Sequence, residues 1–288
     1  MNQEEAFALS IAGEQTVAIL HGGSAQGSIG VVVIVGGPQY RVGSHRQFVL
    51  MSRALAAAGI ATLRFDYRGI GDGSGRARNF EEVDDDIRAA IDCLCTQTGV
   101  ERVVLWGLCD AGSAALMYAS SDHRVVGMVL LNPWVHSPTT EARVRLKTYY
   151  LARLGSAEFW RKVLRFDLDW WGSLASLGRY LRGALGPSSG DRIPTSKPHF
   201  LLRMKNSWAS FGRPILVILS GDDFTAREFR ELCRTDRQWH ELSTAKTVDF
   251  HEMPQANHTF ARAAWRQEVE QVSCSWVLAL RDGGPKWS

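Results

Sequence analysis

The stretch "VVLWGLCDAGSAAL", Val103 to Leu116, decides how the rest of the chain is read. A short apolar run ends at Gly107, a thiol follows at Cys109, and small residues fill the next turn and a half. The pattern predicts a buried strand running through a sharp turn into a helix packed closely against it. A nucleophile at such a turn is carried on strained backbone, with glycine or alanine on either side because the helix must approach the strand. Gly107-Leu108-Cys109-Asp110-Ala111-Gly112 keeps that order, with cysteine where a serine is usual and alanine at the second glycine position. A thiol at a helix N-terminus is favoured as thiolate by the helix dipole. The competing reading is a buried cysteine that fills a corner, a common fate of free cysteines.

Outward from this turn, strands and helices alternate. "FALSIAG" and "QTVAILHG" predict an opening hairpin that turns near Gly13 and Glu14. "GVVVIVGG" (30–37), "IATLRF" (60–65), "ERVVLWG" (101–107) and "HRVVGMVLLNP" (123–133) read as strands, followed later by 213–221 and 246–253. Helical spacing runs over 44–59, 80–97, 110–121, 226–235 and 258–280. This alternation predicts an α/β fold with a mostly parallel sheet and helices on both faces. Residues 135–211 break the rhythm, and we read them as a helical cap inserted in a core made of 1–134 and 212–288.

Bulk properties narrow the function classes. The chain has 288 residues, 45% of them hydrophobic, enough for a large core. Its net charge of +3 does not point to nucleic acid. No apolar run is long enough to span a bilayer, and the acidic start "MNQEEAFALS" lacks the features of a signal peptide. Five scattered cysteines make no disulfide framework, so the expectation is a soluble cytoplasmic protein. The charge is unevenly spread. Residues 135–213 hold 14 basic against 5 acidic side chains, leaving the remainder at −6. The stretch "EFWRKVLRFDLDWWGSLASLGRYLRGALG" mixes aromatics with arginines. It reads either as a cap helix with solvated arginines or as a dock for an acidic partner or anionic surface.

A nucleophile at Cys109 needs an acid and a base, in that chain order. "ILVILSGDDFTAREF" offers Asp222 and Asp223 after a late strand, with Asp223 preferred and Asp222 left as the turn residue. "VDFHEMPQANHTF" offers His258 just before the closing helix, while His251 falls inside the preceding strand. The base handles the thiol proton and the acid fixes the tautomer of the base. An oxyanion hole needs two backbone N–H groups. One comes from Asp110. The other comes from Gly37 or Gln39, with Gly37 taken, because Pro38 has no N–H. Gln39, Arg41 and His45 on the same loop are candidate substrate-binding residues, the last two for an anionic group. "RFDYRGIGDGSG" (64–75) is a glycine-rich crossing loop that matches no nucleotide-binding pattern. No metal-ligand spacing is present, and the chemistry calls for no cofactor.

The Gly107–Ala111 turn, "FDYRGIGDGSG", "SGDD" and "NHTF", in this order, resemble the α/β-hydrolase superfamily. The resemblance covers nearly all of the chain outside 135–211, where such proteins often carry a cap. More narrowly, "GGPQYRVGSHRQFVLMSRALAAAGIATLRFDYRGIGDGSG" with "GLCDA" is similar to the exosortase A system-associated hydrolases, encoded with bacterial exopolysaccharide and protein-sorting genes. Cysteine as nucleophile resembles the dienelactone-hydrolase variant. These likenesses imply ester or thioester chemistry by acyl transfer, on a small-molecule or carrier-linked acyl substrate. A catalytically silent fold that binds or scaffolds is the alternative that the cysteine keeps open.

Overall fold

The computed structural model describes residues 4–22, 29–37, 39–136 and 199–283. By its contacts the chain divides into two compact units, Met1–His136 with Phe200–Ser288, and Ser137–His199. The insertion expected over 135–211, with its basic and aromatic stretch, falls for its greater part on 137–198, outside the described residues.

Eight strands form one sheet: β1 (Glu4–Ile11), β2 (Glu14–His21), β3 (Ile29–Ile34), β4 (Ala61–Phe65), β5 (Arg102–Leu108), β6 (Val125–Leu131), β7 (Ile215–Asp222) and β8 (Val248–Asn257). Their order across the sheet is β1-β2-β4-β3-β5-β6-β7-β8. The hairpin β1–β2 and the pair β2–β4 are antiparallel, and the other pairs are parallel. The central strands β3 and β4 are buried along their whole length, and the apolar run Val31–Ile34 of β3 suits a parallel strand covered on both faces.

Described helices are α1 (Gln47–Ala57), α2 (Asp84–Thr98), α3 (Asp110–Tyr118), α4 (His199–Phe211), α5 (Phe224–Thr235), α6 (Arg237–Ser243) and α7 (Ala263–Arg281). The helix expected from residue 44 begins at Gln47, because His45 and Arg46 take positive φ in a short 3-10 turn. Helix α4 packs with the core through Met204, Trp208 and Phe211. Trp208 stacks on Phe229 of α5 at 6.3 Å and meets the edge of Trp239 of α6 at 5.6 Å, so one aromatic cluster ties three helices together.

Two buried carboxylates fix the glycine-rich loop that follows β4. Asp66, wholly buried, accepts from the backbone N–H of Arg41 at 2.6 Å, from its guanidinium and from the N–H of Asp72. Asp86 of α2, also wholly buried, accepts from the backbone N–H of Arg68 at 2.9 Å and from its guanidinium at 2.8 Å. Removing one partner of such a pair strands a buried charge. Asp86→Ala should therefore lower the unfolding free energy by about 3–5 kcal/mol in urea titrations. A loss under about 1 kcal/mol would mean that the pair behaves like a surface one.

Candidate functional site

The turn after β5 has the strained geometry that its sequence implies. Cys109 sits at φ 62, ψ −126 as the N-cap of α3. A side chain rarely adopts that region, at a cost of about 1–3 kcal/mol, and it persists only where the surroundings hold it. The surroundings do so from both sides. The N–H of Cys109 donates to Leu131 O at 2.8 Å, its carbonyl accepts from Trp134 N at 3.2 Å, and Ser113 Oγ donates to Trp134 O at 2.7 Å. Gly107 is obligatory here: a Cβ on it would lie 2.6 Å from the carbonyl carbon of Ala111. The small residues of the opening stretch thus let α3 press onto the sheet, and the thiol is left half-buried at the turn.

His258 follows β8 directly, and its Nδ1 lies 2.9 Å from Oδ2 of Asp223. Asp223 is also the N-cap of α5, accepting from Ala226 N at 3.0 Å and Thr225 N at 3.3 Å. Asp222, one residue earlier, ends β7 with its side chain 80% exposed and near Arg227. Cys109 and His258 line the same cavity. The hydrogen bond to Asp223 first, then the nearby Cys109 sulfur, raise the His258 pKa from 6.5 to about 10 against the opposing effect of burial. For Asp223, burial would push the carboxyl up, but the His258 hydrogen bond and charge with the two helix N–H groups hold it below the usual range. The imidazole therefore keeps its proton through the neutral range, between an acid and a thiol.

Asn132 places this histidine. It follows β6 at φ 43, fully buried, and its amide donates to Ser220 Oγ at 2.8 Å and to His258 O at 3.1 Å. Its Oδ1 accepts from Ser220 N at 2.9 Å. One side chain thereby joins the ends of β6 and β7 to the histidine loop. The only sequence signal for it is an asparagine at the end of an apolar strand.

The loop after β3 comes close to α3. The Gly37 N–H donates to Asp110 Oδ2 at 2.9 Å, and Gln39 N–H closes a turn on Gly36 O at 3.2 Å. A Cβ on Gly36 would sit 2.4 Å from Asp110 Oδ1, so only glycine fits between the loop and that carboxylate. Both candidate donors on the loop, Gly37 and Gln39, are thus engaged within the chain. Gly36, Gly37 and Gln39 share a cavity of about 430 Å³ with Cys109, Asp110 and His258, and Phe80, Leu108 and Trp134 give it an apolar wall. That volume lies within the usual span of small-molecule sites, about 300–1,000 Å³.

Other sequence candidates lie elsewhere. The Arg41 guanidinium is committed to Asp66 and Asp72. His45 is exposed in the 3-10 turn, and neither residue is among the described residues that line the cavity. His251 points to Glu268, with Nε2 at 2.8 Å, from within β8. Among the described residues no group of three His, Cys, Asp or Glu side chains is arranged to hold a metal, and no helix is long and apolar enough to cross a membrane.

Comparisons with known proteins agree with this architecture. A sequence model described as "Alpha/beta hydrolase family" matches residues 18–272. The search of curated proteins gives no match. Among solved structures, the Pyrococcus furiosus esterase Pf2001 superposes with a TM-score of 0.62 at 14% identity, covering 95% of this chain and 91% of that one. The alpha/beta hydrolase GrgF from a Penicillium species gives 0.62 at 18%, covering 97% and 98%. A dienelactone hydrolase from Anabaena variabilis gives 0.60 at 15%, covering 96% and 97%. At these identities the likeness is one of fold.

The raised pKa of His258 makes a prediction for stability. A histidine whose folded pKa lies above its unfolded value of 6.5 stabilises fully below 6.5 and loses that contribution as the pH climbs through about 10. The stability deficit of His258→Gln relative to the parent should be largest in mildly acidic buffer, above the titration of Asp223. It should shrink steadily into the alkaline range. A deficit that does not change with pH in chemical denaturation would show that the histidine is not held charged.

Proposed function

We infer the activity of this chain from a premise that the family match supplies: it belongs to the alpha/beta hydrolase family. The reading is an acyl-transfer enzyme for esters or thioesters, with Cys109 as nucleophile, His258 as acid and base, and Asp223 as the residue that orients His258. The observation that carries it is the position of His258, hydrogen-bonded to Asp223 through Nδ1 and sharing one cavity with Cys109.

The steps follow from that arrangement. In this scheme Cys109 reacts as its thiolate, with protonated His258 as the counter-ion. The sulfur attacks the substrate carbonyl, a C–S bond forms, and the carbonyl oxygen takes the negative charge, directed at the N–H groups of Gly37 and Asp110. His258 gives its proton to the departing alkoxide or thiolate as the bond to carbon breaks. The neutral imidazole then takes a proton from water, or from an acceptor hydroxyl, which attacks the acyl-enzyme and frees the sulfur. An imidazolium suits a thiolate and does not suit serine, whose hydroxyl needs a neutral base. This is a physical reason for cysteine at the turn.

The wall formed by Phe80, Leu108 and Trp134 supports an apolar acyl group. An ester or thioester suits a thiolate nucleophile better than an ordinary amide, and the names of the esterase and dienelactone hydrolase neighbours are in keeping with this. The resemblance of the 36–75 region to exosortase A system-associated hydrolases supports a cytoplasmic role beside exopolysaccharide metabolism. The basic segment within 135–213 supports an acidic carrier or anionic surface as partner.

Intact-mass spectrometry after brief exposure to p-nitrophenyl acetate tests the reading. One acetyl group should appear on the parent protein and map to Cys109. Cys109→Ala should take none there, and His258→Ala should acetylate more slowly by about 10²-fold or more. Adding alcohols separates hydrolysis from transfer by the rate at which the adduct is lost. Absence of an adduct across several acyl lengths would favour the silent binding fold.

A further inference from the structure

The Asp110 carboxyl stands where the chemistry just described least expects a negative charge. Its Oδ2 accepts from the Gly37 N–H at 2.9 Å, and its Oδ1 is buried with no hydrogen-bond partner. The backbone N–H groups of Gly37, Ala111 and Asp110 itself all stabilise its charged form. Two of these three are the groups assigned above to the oxyanion hole. A Cβ at Gly36 would meet this Oδ1 at 2.4 Å, and the backbone oxygen of Leu108 at 2.8 Å.

We propose that Asp110 is a positioning residue whose carboxylate occupies the oxyanion hole of the resting site and must release the Gly37 N–H before a substrate carbonyl can bind productively. The inference rests on the assignment of Cys109 as nucleophile. Electrostatics require such a release: a developing oxyanion beside an ionised carboxylate would be repelled, and an N–H already donating has nothing left to offer it.

The groups that face this carboxyl come from several elements. From the loop after β4 comes Tyr67, fully buried, its hydroxyl without a partner. From the loop after β8 comes His258, whose positive charge favours the carboxylate. Its own helix contributes the Asp110 and Ala111 N–H groups, and the loop after β3 contributes Gly37. Burial raises the carboxyl above the usual aspartate range, partly offset by those N–H groups and by His258. Release is thus easier toward acidic pH, where the carboxyl takes a proton and becomes a weaker acceptor.

Two measurements test this. The first is the single-turnover acetylation of Cys109 by p-nitrophenyl acetate in the parent, Asp110→Asn and Asp110→Ala across pH. Freeing the donor should speed acylation in Asp110→Ala by about tenfold at mildly alkaline pH, with Asp110→Asn between it and the parent. The ratio of variant to parent should fall toward one as the pH drops through the Asp110 titration. A residue that only braces the loop would give the opposite result, slower acylation in both variants at every pH, and that result overturns the proposal. The second measurement follows the backbone amide resonance of Gly37 by NMR. It should titrate with the Asp110 carboxyl in the parent and lose that titration in Asp110→Asn, which changes the side chain least. Were none of the three proteins acylated, the nucleophile assignment would fall by itself, and the Gly37 amide would still decide whether Asp110 holds the donor. A Gly37 amide indifferent to pH overturns the proposal by either route.

Discussion

The backbone of Cys109 is the constraint on which the site depends. A positive φ at a non-glycine residue is held by hydrogen bonds from the end of β6 and the segment after it, Leu131 on one side and Trp134 on the other. For those bonds to form, β5 and β6 must be in register, and α3 must lie close enough that Gly107 has no space for a side chain. The apolar run before the turn and the alanines after it serve this one geometry. The strain is spread over the packed core and concentrated on the residue that presents the thiol.

Around that turn, long-range tethers set the remaining groups. Asn132 ties the ends of β6 and β7 to the histidine loop, so the position of His258 is inherited from the sheet more than from its own loop. Asp223 has two duties, capping α5 and holding the imidazole. A helix cap holds the carboxylate independently of the histidine, which lowers the entropic cost of forming the pair. On the other side of the turn, Asp66 anchors the loop that carries Gly37 through Arg41. Each catalytic candidate therefore stands on a buried polar contact with a partner distant in the sequence.

This explains how far the sequence could be read. The strand–helix alternation was legible because each element is long enough to show its period, and the Cys109, Asp223 and His258 positions because their local contexts are distinctive. Asp66, Asp86, Asn132 and the side chain of Asp110 were not legible as structural groups. Their partners lie 25, 18, 88 and 73 residues away, and no local pattern announces a contact at that range. Helix α6 was also missed. It has only seven residues, and its formation rests on the Asp236 cap and the burial of Trp239, both weak signals in isolation. Arg41 was legible as a basic residue near the site, but its pairing with Asp66 and Asp72 was not.

The central claim is that His258 is a charged partner of the Cys109 sulfur, held by Asp223. The most direct measurement is nitrogen-15 NMR of the His258 side chain, followed from mildly acidic to strongly alkaline pH. The account predicts both ring nitrogens protonated through the neutral range, with deprotonation near pH 10, and a downward move of that midpoint in Cys109→Ala. A midpoint close to the ordinary 6.5 in the parent protein would contradict it, and would leave Cys109 as a thiol at a strained corner.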